Sequence, residues 1–288
     1  MAQLGLIGLG IMGRPMALNL LAAGHTVHVY ARREAALAPF RDHPQAVIHA
    51  SPAEVARQAE VVFTVVSDTP DVEAVLFGPQ GLAEGLRAGA TVIDMSTISA
   101  TATREFASRL AAQGVDMLDA PVSGGEVGAI QGTLSIMVGG RVEVFERVKP
   151  WLEILGKNIV HVGEQGAGQV AKACNQVVVA VTIEAVAEAL TFAAAHGVDG
   201  NRVREALLGG FAGSRILEIH GKRMLSGDYT PGFKTSLHAK DMRIVAAGIT
   251  EQGLRLPCAS LVGERLQALA ETSDAESDSS VLFKLLSH

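Results

Sequence analysis

The chain has 288 residues, which is long enough for two domains, and 48% of them are hydrophobic while 19% are charged, as in a globular protein with sizeable cores. A net charge of −6 without any basic block disfavours nucleic acid as a partner, so anionic ligands must be held by local groups. Cys174 and Cys258 have no CxxC spacing or histidine cluster around them, which argues against disulfides and a metal site and favours a reducing, cytoplasmic location.

Short apolar runs alternate with helical stretches over the first 162 residues. The six runs occupy residues 4–7, 27–30, 61–65, 92–94, 117–119 and 134–138. This alternation is typical of βαβ units. Several runs are apolar at every position, which predicts a parallel sheet buried on both faces. We therefore predict an α/β fold whose N-terminal domain, residues 1–162, is a Rossmann-type doubly wound sheet.

After residue 162 the pattern becomes helical. Residues 166–196 are predicted to form one long interdomain helix, followed by helices over 201–208, 214–226, 237–253 and 257–272. Residues 163–288 are therefore predicted to be an all-helical substrate and oligomerisation domain. Residues 177–183 are apolar nearly all round, which predicts burial by the later helices and by a second subunit. No apolar run reaches about 18 residues without a polar break, and no signal peptide is visible at the N-terminus, so no membrane span is expected.

A GxGxxG sequence joins the first strand to the first helix. Gly8 permits the tight turn, Gly10 lets the backbone approach a pyrophosphate, and Gly13 allows close packing of helix on strand. Its strand–turn–helix context favours a dinucleotide site over a ligand-free turn. Ile11 and Met12 within the loop, and Val66 after the third apolar run, are also predicted to bind the cofactor.

Two arginines follow the second strand, where an acidic residue would bind the adenosine ribose of NAD. Arg32 and Arg33 suit a 2′-phosphate, so NADP(H) is favoured and NAD(H) is the alternative. They could instead be a solvated helix start, and the neighbouring Glu34 could serve the ribose hydroxyls.

A serine and two glycines follow the strand at 117–119. The hydroxyl of Ser123 and the backbone amides of Gly124 and Gly125 could bind a substrate carboxylate at the carboxyl end of the sheet. The same three residues could equally be an ordinary loop.

Polar residues lie on one face of the long helix near its start. Lys172, Asn175 and Gln176 have i, i+3 and i+4 spacing, and Gly168 one turn earlier could leave room for a flat ring or a substrate. Burial beside a nicotinamide disfavours an ammonium group, which would bring the pKa of Lys172 into the range useful for proton transfer. The alternative is a surface lysine on an amphipathic helix.

A further polar cluster occupies residues 231–241 of the helical domain. Lys240 could reach the cofactor or the substrate carboxylate, although Lys240 and Asp241 could equally form an ordinary helix ion pair. His238 is predicted to be a packed or capping side chain and not a base.

Five ordered motifs resemble the β-hydroxyacid dehydrogenase family, which includes 3-hydroxyisobutyrate dehydrogenase, and within it the tartronate semialdehyde reductase branch. The likeness covers almost the whole chain. The motifs are GLGIMGRPMALNL (8–20), DAPVSGGEVGAIQGTLSIMVGG (119–140), GAGQVAKACNQ (166–176), GGFAGSRILE (209–218) and PGFKTSLHAKD (231–241).

The resemblance implies roles for individual residues. Lys172 would be the catalytic acid/base and Asn175 its partner, the segment 123–125 would bind the substrate, and Thr97 and Lys240 would lie beside the nicotinamide. It also implies a homodimer or homotetramer. The sequence 278–280 is Asp-Ser-Ser where related chains tend to have Asp-His-Ser, so the resemblance does not define that edge of the substrate pocket.

The expected activity is reduction of tartronate semialdehyde to glycerate by hydride transfer from NAD(P)H. The alternatives within the family are 3-hydroxyisobutyrate, succinic semialdehyde and glyoxylate as substrates. A non-catalytic dinucleotide-binding scaffold is the alternative from another class, and the spacing of Lys172 and Asn175 disfavours it.

Overall fold

The computed structural model describes residues 1–286, and contacts divide the chain into two compact units, Met1–Lys172 and Ala173–His288. The first unit is a sheet covered by helices. Its described strands are β1 (Gln3–Ile7), β2 (Thr26–Tyr30), β3 (Ala46–Ile48), β4 (Val61–Thr64), β5 (Thr91–Asp94), β6 (Asp116–Asp119), β7 (Val122–Ser123), β8 (Leu134–Gly139) and β9 (Gly156–Gly163). The helices among them are α1 (Gly13–Ala22), α2 (Pro52–Gln58), α3 (Thr69–Phe77), α4 (Ala100–Ala111), α5 (Gly125–Gln131) and α6 (Val142–Leu155).

The sheet order is β3-β2-β1-β4-β5-β6-β8-β7, with β9 paired to β8. The first six strands of this order are parallel, which is the arrangement of doubly wound dinucleotide-binding sheets. The expectation of an all-parallel sheet is wrong for β8, which runs antiparallel to β6 and β7. The segment 124–133 between β7 and β8 is shorter than the dozen or more residues that a parallel crossover needs.

Both faces of this sheet are buried, as the uninterrupted apolar runs predicted. Leu6, Phe63 and Ile93 point into one hydrophobic cluster, while Val62 and Val92 point into another. Because successive side chains of a strand alternate between faces, each central strand contributes to both clusters. The predicted α/β fold class is therefore confirmed.

The second unit is helical. Its helices are the main part of α7 (Ala167–Ala195), which begins in the first unit, and α8 (Gly200–Leu208), α9 (Arg215–Ser226), α10 (Thr235–Glu251) and α11 (Pro257–Ala270). Short 3₁₀ segments follow at Ser273–Glu276 and Ser279–Leu285. All the predicted helices are present, with ends that differ from the prediction by no more than two residues.

One side of α7 packs into the core of the second unit. Ala180, Ile183 and Ala187 are buried there, whereas Val178 and Phe192 are more than 60% exposed. By length and composition α7 could cross a membrane, a test that the core helices of soluble proteins also pass. The absence of a membrane partner and the domain boundary after residue 162 stay predictions.

Candidate active site

The Gly-rich turn between β1 and α1 has room for a ligand at one of its three glycines. Gly8 has φ of +98°, and a Cβ there would lie 2.1 Å from the carbonyl oxygen of Val65. A Cβ at Gly13 would lie 2.0 Å from the carbonyl oxygen of Gly8, so the helix packs too closely for any side chain. At Gly10 no atom lies within 4 Å of such a Cβ. The open backbone at Gly10 fits the approach of a pyrophosphate.

The two residues that follow Gly10 complete the turn. Ile11 is exposed, and Met12 is half-buried at the N-cap position of α1. Neither places a charged side chain beside the turn, so an anion there would be held by backbone N–H groups at the start of α1.

Charged side chains gather at the carboxyl end of β2. Arg32 and Arg33 are both exposed, and Arg32 forms a 3.1 Å ion pair with Asp71 of α3. Glu34 is paired with Arg41 at 2.7 Å. Both arginines are thus at the surface. Glu34, which could have bound the ribose hydroxyls, pairs with Arg41 instead.

A buried polar row that the sequence patterns did not reveal crosses the carboxyl ends of β4, β5 and β6. Thr64, Asp94 and Asp119 occupy successive register positions and are each 0% exposed. Asp94 Oδ1 accepts hydrogen bonds from Thr64 Oγ1 at 2.7 Å and from the backbone N–H of Ser96 at 3.2 Å. Burial raises the pKa of Asp94 to about 6, and the charge of Asp119 acts in the same direction.

The loop after β5 connects two of the predicted cofactor residues. Ser96 Oγ accepts a 2.9 Å hydrogen bond from the backbone N–H of Val66. Thr97, the next residue, is half-buried between the buried Ser96 and Ile98. Val66 and Thr97 are thus brought to one edge of the sheet, and a Cβ at Gly8 would lie 3.0 Å from Val66 Cγ1.

Asp119 fixes the start of α7. Its carboxylate accepts hydrogen bonds from the backbone N–H of Gly166 at 2.7 Å and of Gln169 at 2.9 Å. Burial raises the pKa of Asp119, and these backbone hydrogen bonds partly offset that effect. The expectation that Gly168 leaves room for a ligand is wrong. A Cβ there would lie 2.4 Å from the carbonyl oxygen of Met137, so the space is filled by the sheet.

Lys172 closes the first unit one turn after this fixed start. It is only 7% exposed, so the alternative of a solvated surface lysine is wrong. It lies three residues after Gln169 and therefore on the same helix face. A cationic group held this deeply is unusual in a core, which makes Lys172 a candidate for a functional residue.

In the second unit, four polar side chains form one chain of contacts. Asn175 Nδ2 donates to Gln176 Oε1 at 2.7 Å, and Gln176 Nε2 donates to Asp241 Oδ2 at 2.5 Å. Lys240 Nζ lies 2.7 Å from the other oxygen of Asp241. The Lys240 side chain is 11% exposed and that of Asp241 is 3% exposed, so this ion pair is buried and differs in that respect from the ordinary helix ion pair considered from the sequence. His238 is fully buried with its ring 5.4 Å from that of Phe233, as its predicted packing role requires.

The segment after β6 turns through two glycines in a conformation that favours glycine. Gly124 has φ of +136° and Gly125 of +62°, and both are exposed. A Cβ at Gly125 would meet no atom within 4 Å. Ser123, half-buried at the end of β7, precedes them. The backbone is therefore accessible where the carboxylate site is predicted.

The C-terminal Asp278 has a structural role. It is fully buried and bonds to His220 at 3.1 Å, to Arg223 at 2.8 Å and to the backbone N–H of Gly232 at 2.9 Å. Burial alone would raise the pKa of Asp278, but the hydrogen bonds from His220 and Ser280 outweigh it and lower this pKa. Asp278 thus ties the C-terminal segment to α9 and to the loop before α10.

A doubly wound sheet with an open glycine turn at its first helix is typical of dinucleotide-binding domains, and comparison with known families agrees. Residues 3–163 match the model of the NAD binding domain of 6-phosphogluconate dehydrogenase. Residues 166–286 match the model described as NAD-binding of NADP-dependent 3-hydroxyisobutyrate dehydrogenase.

Individual proteins match over the whole chain. The 2-hydroxy-3-oxopropionate reductase of Escherichia coli is 48% identical, over 99% of this chain and 97% of its own length. The NAD-dependent L-serine dehydrogenase of Pseudomonas aeruginosa is 36% identical, over 99% and 98%. The structure of Mycobacterium tuberculosis 3-hydroxyisobutyrate dehydrogenase with L-serine superposes with a TM-score of 0.92 at 32% identity and full coverage of both chains.

The chain belongs to the 3-hydroxyisobutyrate dehydrogenase-like family of NAD(P)-dependent β-hydroxyacid dehydrogenases. Its cofactor is a nicotinamide dinucleotide, and it is an enzyme that acts on a small hydroxy acid or the corresponding carbonyl compound.

Proposed function

We propose that this enzyme reduces 2-hydroxy-3-oxopropanoate, which is tartronate semialdehyde, to glycerate with NADPH, and that Lys172 is its general acid/base. The observation that carries the chemical part is the fixed, buried position of Lys172, one turn after Asp119 bonds the start of α7. The substrate is supported by the 48% identity to a protein named for that reaction.

The first unit supplies groups for each part of the reaction. The open backbone at Gly10 would receive the pyrophosphate, and Val66 and Thr97 would contact the nicotinamide. The reduced nicotinamide supplies the hydride. Ser123 and the exposed amides that follow it hold the substrate carboxylate, which orients the aldehyde.

Lys172 moves the proton. In the reductive direction its ammonium group donates a proton to the aldehyde oxygen while the carbonyl carbon accepts the hydride. In the oxidative direction the neutral amine accepts the proton of the substrate hydroxyl. Asn175 and Lys240 are proposed to hold substrate and cofactor groups, and in the second unit Gln176 and Asp241 restrain their side chains.

The preference for NADPH rests on the carboxyl end of β2. Arg32 and Arg33 present two cationic groups to solvent there, which suits a 2′-phosphate. Glu34, the group that could favour NADH, pairs with Arg41, and Arg32 pairs with Asp71. Both are surface ion pairs of small energy, so the preference rests on the two guanidinium groups themselves.

We also propose a homodimer or homotetramer, because α7 leaves apolar side chains such as Val178 and Phe192 exposed. The proposed cytoplasmic location is supported by Cys174 and Cys258, which are both free cysteines.

The proposal is tested by initial rates of cofactor oxidation or reduction with the purified protein. NADPH and NADH are each offered with 2-hydroxy-3-oxopropanoate, succinic semialdehyde and glyoxylate, and the oxidised cofactors with 3-hydroxyisobutyrate and L-serine. We expect the highest kcat/KM for 2-hydroxy-3-oxopropanoate with NADPH. A higher value for another compound would reassign the substrate, and no turnover with any of them would favour the scaffold alternative.

A further inference from the structure

Gln169 makes two side-chain hydrogen bonds that enclose Thr97. Its Oε1 accepts from the backbone N–H of Ile98 at 3.1 Å, and its Nε2 donates to the backbone carbonyl of Ser96 at 2.8 Å. The side chain is buried, with the residue 2% exposed. One primary amide therefore bonds the backbone on both sides of Thr97, as a neighbouring strand would do.

The backbone of Gln169 is fixed as well. Its N–H donates to Asp119 Oδ2 at 2.9 Å, so the residue is bonded to the end of β6 and to the loop after β5 at once. Lys172 lies three residues later on the same helix face, where Cβ atoms are about 5–6 Å apart. Gln169 is thus the link between the loop that carries Thr97 and the helical turn that carries Lys172.

We propose that Gln169 is a positioning residue that sets the distance between the nicotinamide-contacting loop at Thr97 and the proton donor Lys172. The inference rests on the proposed roles of Thr97 and Lys172. Hydride and proton reach the two atoms of one carbonyl group, so their sources must be held in a fixed relation, and a displacement of about 1 Å is enough to cost about 100-fold in rate.

The amide itself is required, because the loop needs one acceptor and one donor from the same side chain. Gln169→Met keeps the length and removes both hydrogen bonds. Gln169→Glu keeps the acceptor for Ile98 but, when ionised, turns a second acceptor toward the carbonyl of Ser96. When protonated, the new carboxyl group can again donate to Ser96 and accept from Ile98, as the amide does.

Gln169→Glu gives a pH-dependent readout that a merely structural role would not produce. The activity of Gln169→Glu, divided by that of the wild type at each pH, should rise as the pH falls from about 8 to about 5 and the new carboxyl group becomes protonated. The ratio for Gln169→Met should stay low and flat over the same range. Parallel flat ratios for both variants would overturn the proposal.

The second measurement is the single-turnover rate of hydride transfer, with the cofactor dissociation constant measured separately. For Gln169→Met we expect transfer to slow by about 10- to 100-fold while NADPH binding changes less than about 3-fold. The isotope effect on steady-state kcat, measured with cofactor deuterated at the transferred position, should also rise, because hydride transfer then limits turnover more strongly. An unchanged transfer rate would contradict the inference.

Gln165→Met is the matched control. Gln165 is also a glutamine bonded to Asp119, through Nε2 at 3.2 Å, but within residues 1–286 its side chain makes no hydrogen bond to the loop at Thr97. It should keep wild-type transfer rates, and an equal slowing would attribute the effect to the Asp119 network instead. Failure of the function itself is separable: a fully active Lys172→Ala would dismiss the proposed chemistry whatever the Gln169 variants do.

Discussion

Replacing Asp94 by asparagine should change the pH dependence of stability. Asp94 is fully buried at the end of β5, and its Oδ1 already accepts from Thr64 and Ser96. Its Oδ2 makes no hydrogen bond within the part of the chain that the structure describes. The substitution Asp94→Asn would keep the shape of the side chain and the Oδ1 acceptor while removing the ability to ionise.

The expected size follows from the pKa of Asp94, which burial raises from 3.8 to about 6. A raised pKa favours the neutral acid in the folded state, so its contribution is full below about pH 3.8 and is lost as the pH rises through about 6. A shift of about two units corresponds to about 3 kcal/mol. The unfolding free energy of Asp94→Asn, relative to that of the wild type, should therefore rise by about 3 kcal/mol as the pH is raised from about 4 to about 8.

The assay is urea unfolding of both proteins at several pH values across that range. The measured quantity is the change with pH of the difference between the two unfolding free energies, so a constant cost of burying the new amide cancels. Asp42→Asn removes a carboxyl group at an exposed site and serves as the control for the loss of one charge. A difference for Asp94→Asn whose change with pH does not exceed that of the control, or that falls with rising pH, would refute the reasoning.

Three further predictions concern other parts of the molecule. Gly168→Ala should destabilise the protein by at least about 2 kcal/mol and slow turnover, because the new Cβ would lie 2.4 Å from the carbonyl oxygen of Met137. The control Gly248→Ala should be tolerated, because no atom lies within 4 Å of its Cβ. Thermal unfolding and initial rates test both variants. Burial lowers the pKa of His28 and of His49, so the stability that the neutral imidazoles contribute is lost as the pH falls below about 6.5. The melting temperature of His49→Gln relative to wild type should therefore rise as the pH falls from about 7 to about 5, and a relative melting temperature that does not change with pH would contradict this expectation. Arg32→Ser combined with Arg33→Ser should raise the KM for NADPH by at least about 10-fold and leave that for NADH nearly unchanged, since only NADPH carries the 2′-phosphate; equal effects would count against this role.

The sequence predicted the central strands and the helices because their hydrophobic patterns are strong and local. The edges of the sheet were harder to predict. β3 is three residues long and partly exposed, and β9 has mostly exposed or half-buried residues, so neither has the uninterrupted apolar run of a central strand. The reversed direction of β8 depends on a short connection, which hydrophobicity does not report.

The site predicted from the motifs lacked the residues that hold those motifs in place. Asp94, Asp119 and Gln169 became visible only when strand register and the start of α7 brought them together. A carboxylate at the end of an apolar strand is a signal that could have identified the first two. Gly168 was misjudged because its packing partner, Met137, is distant in the sequence and close only in the fold.

The most direct test of the proposed chemistry compares single-turnover hydride transfer in the wild type and in Lys172→Ala, with 2-hydroxy-3-oxopropanoate and NADPH. Loss of a general acid should slow transfer by about 100- to 10,000-fold. NADPH binding should be nearly intact, and added small primary amines should restore part of the rate. Transfer at the wild-type rate in Lys172→Ala would contradict the account, because the proton would then come from another group.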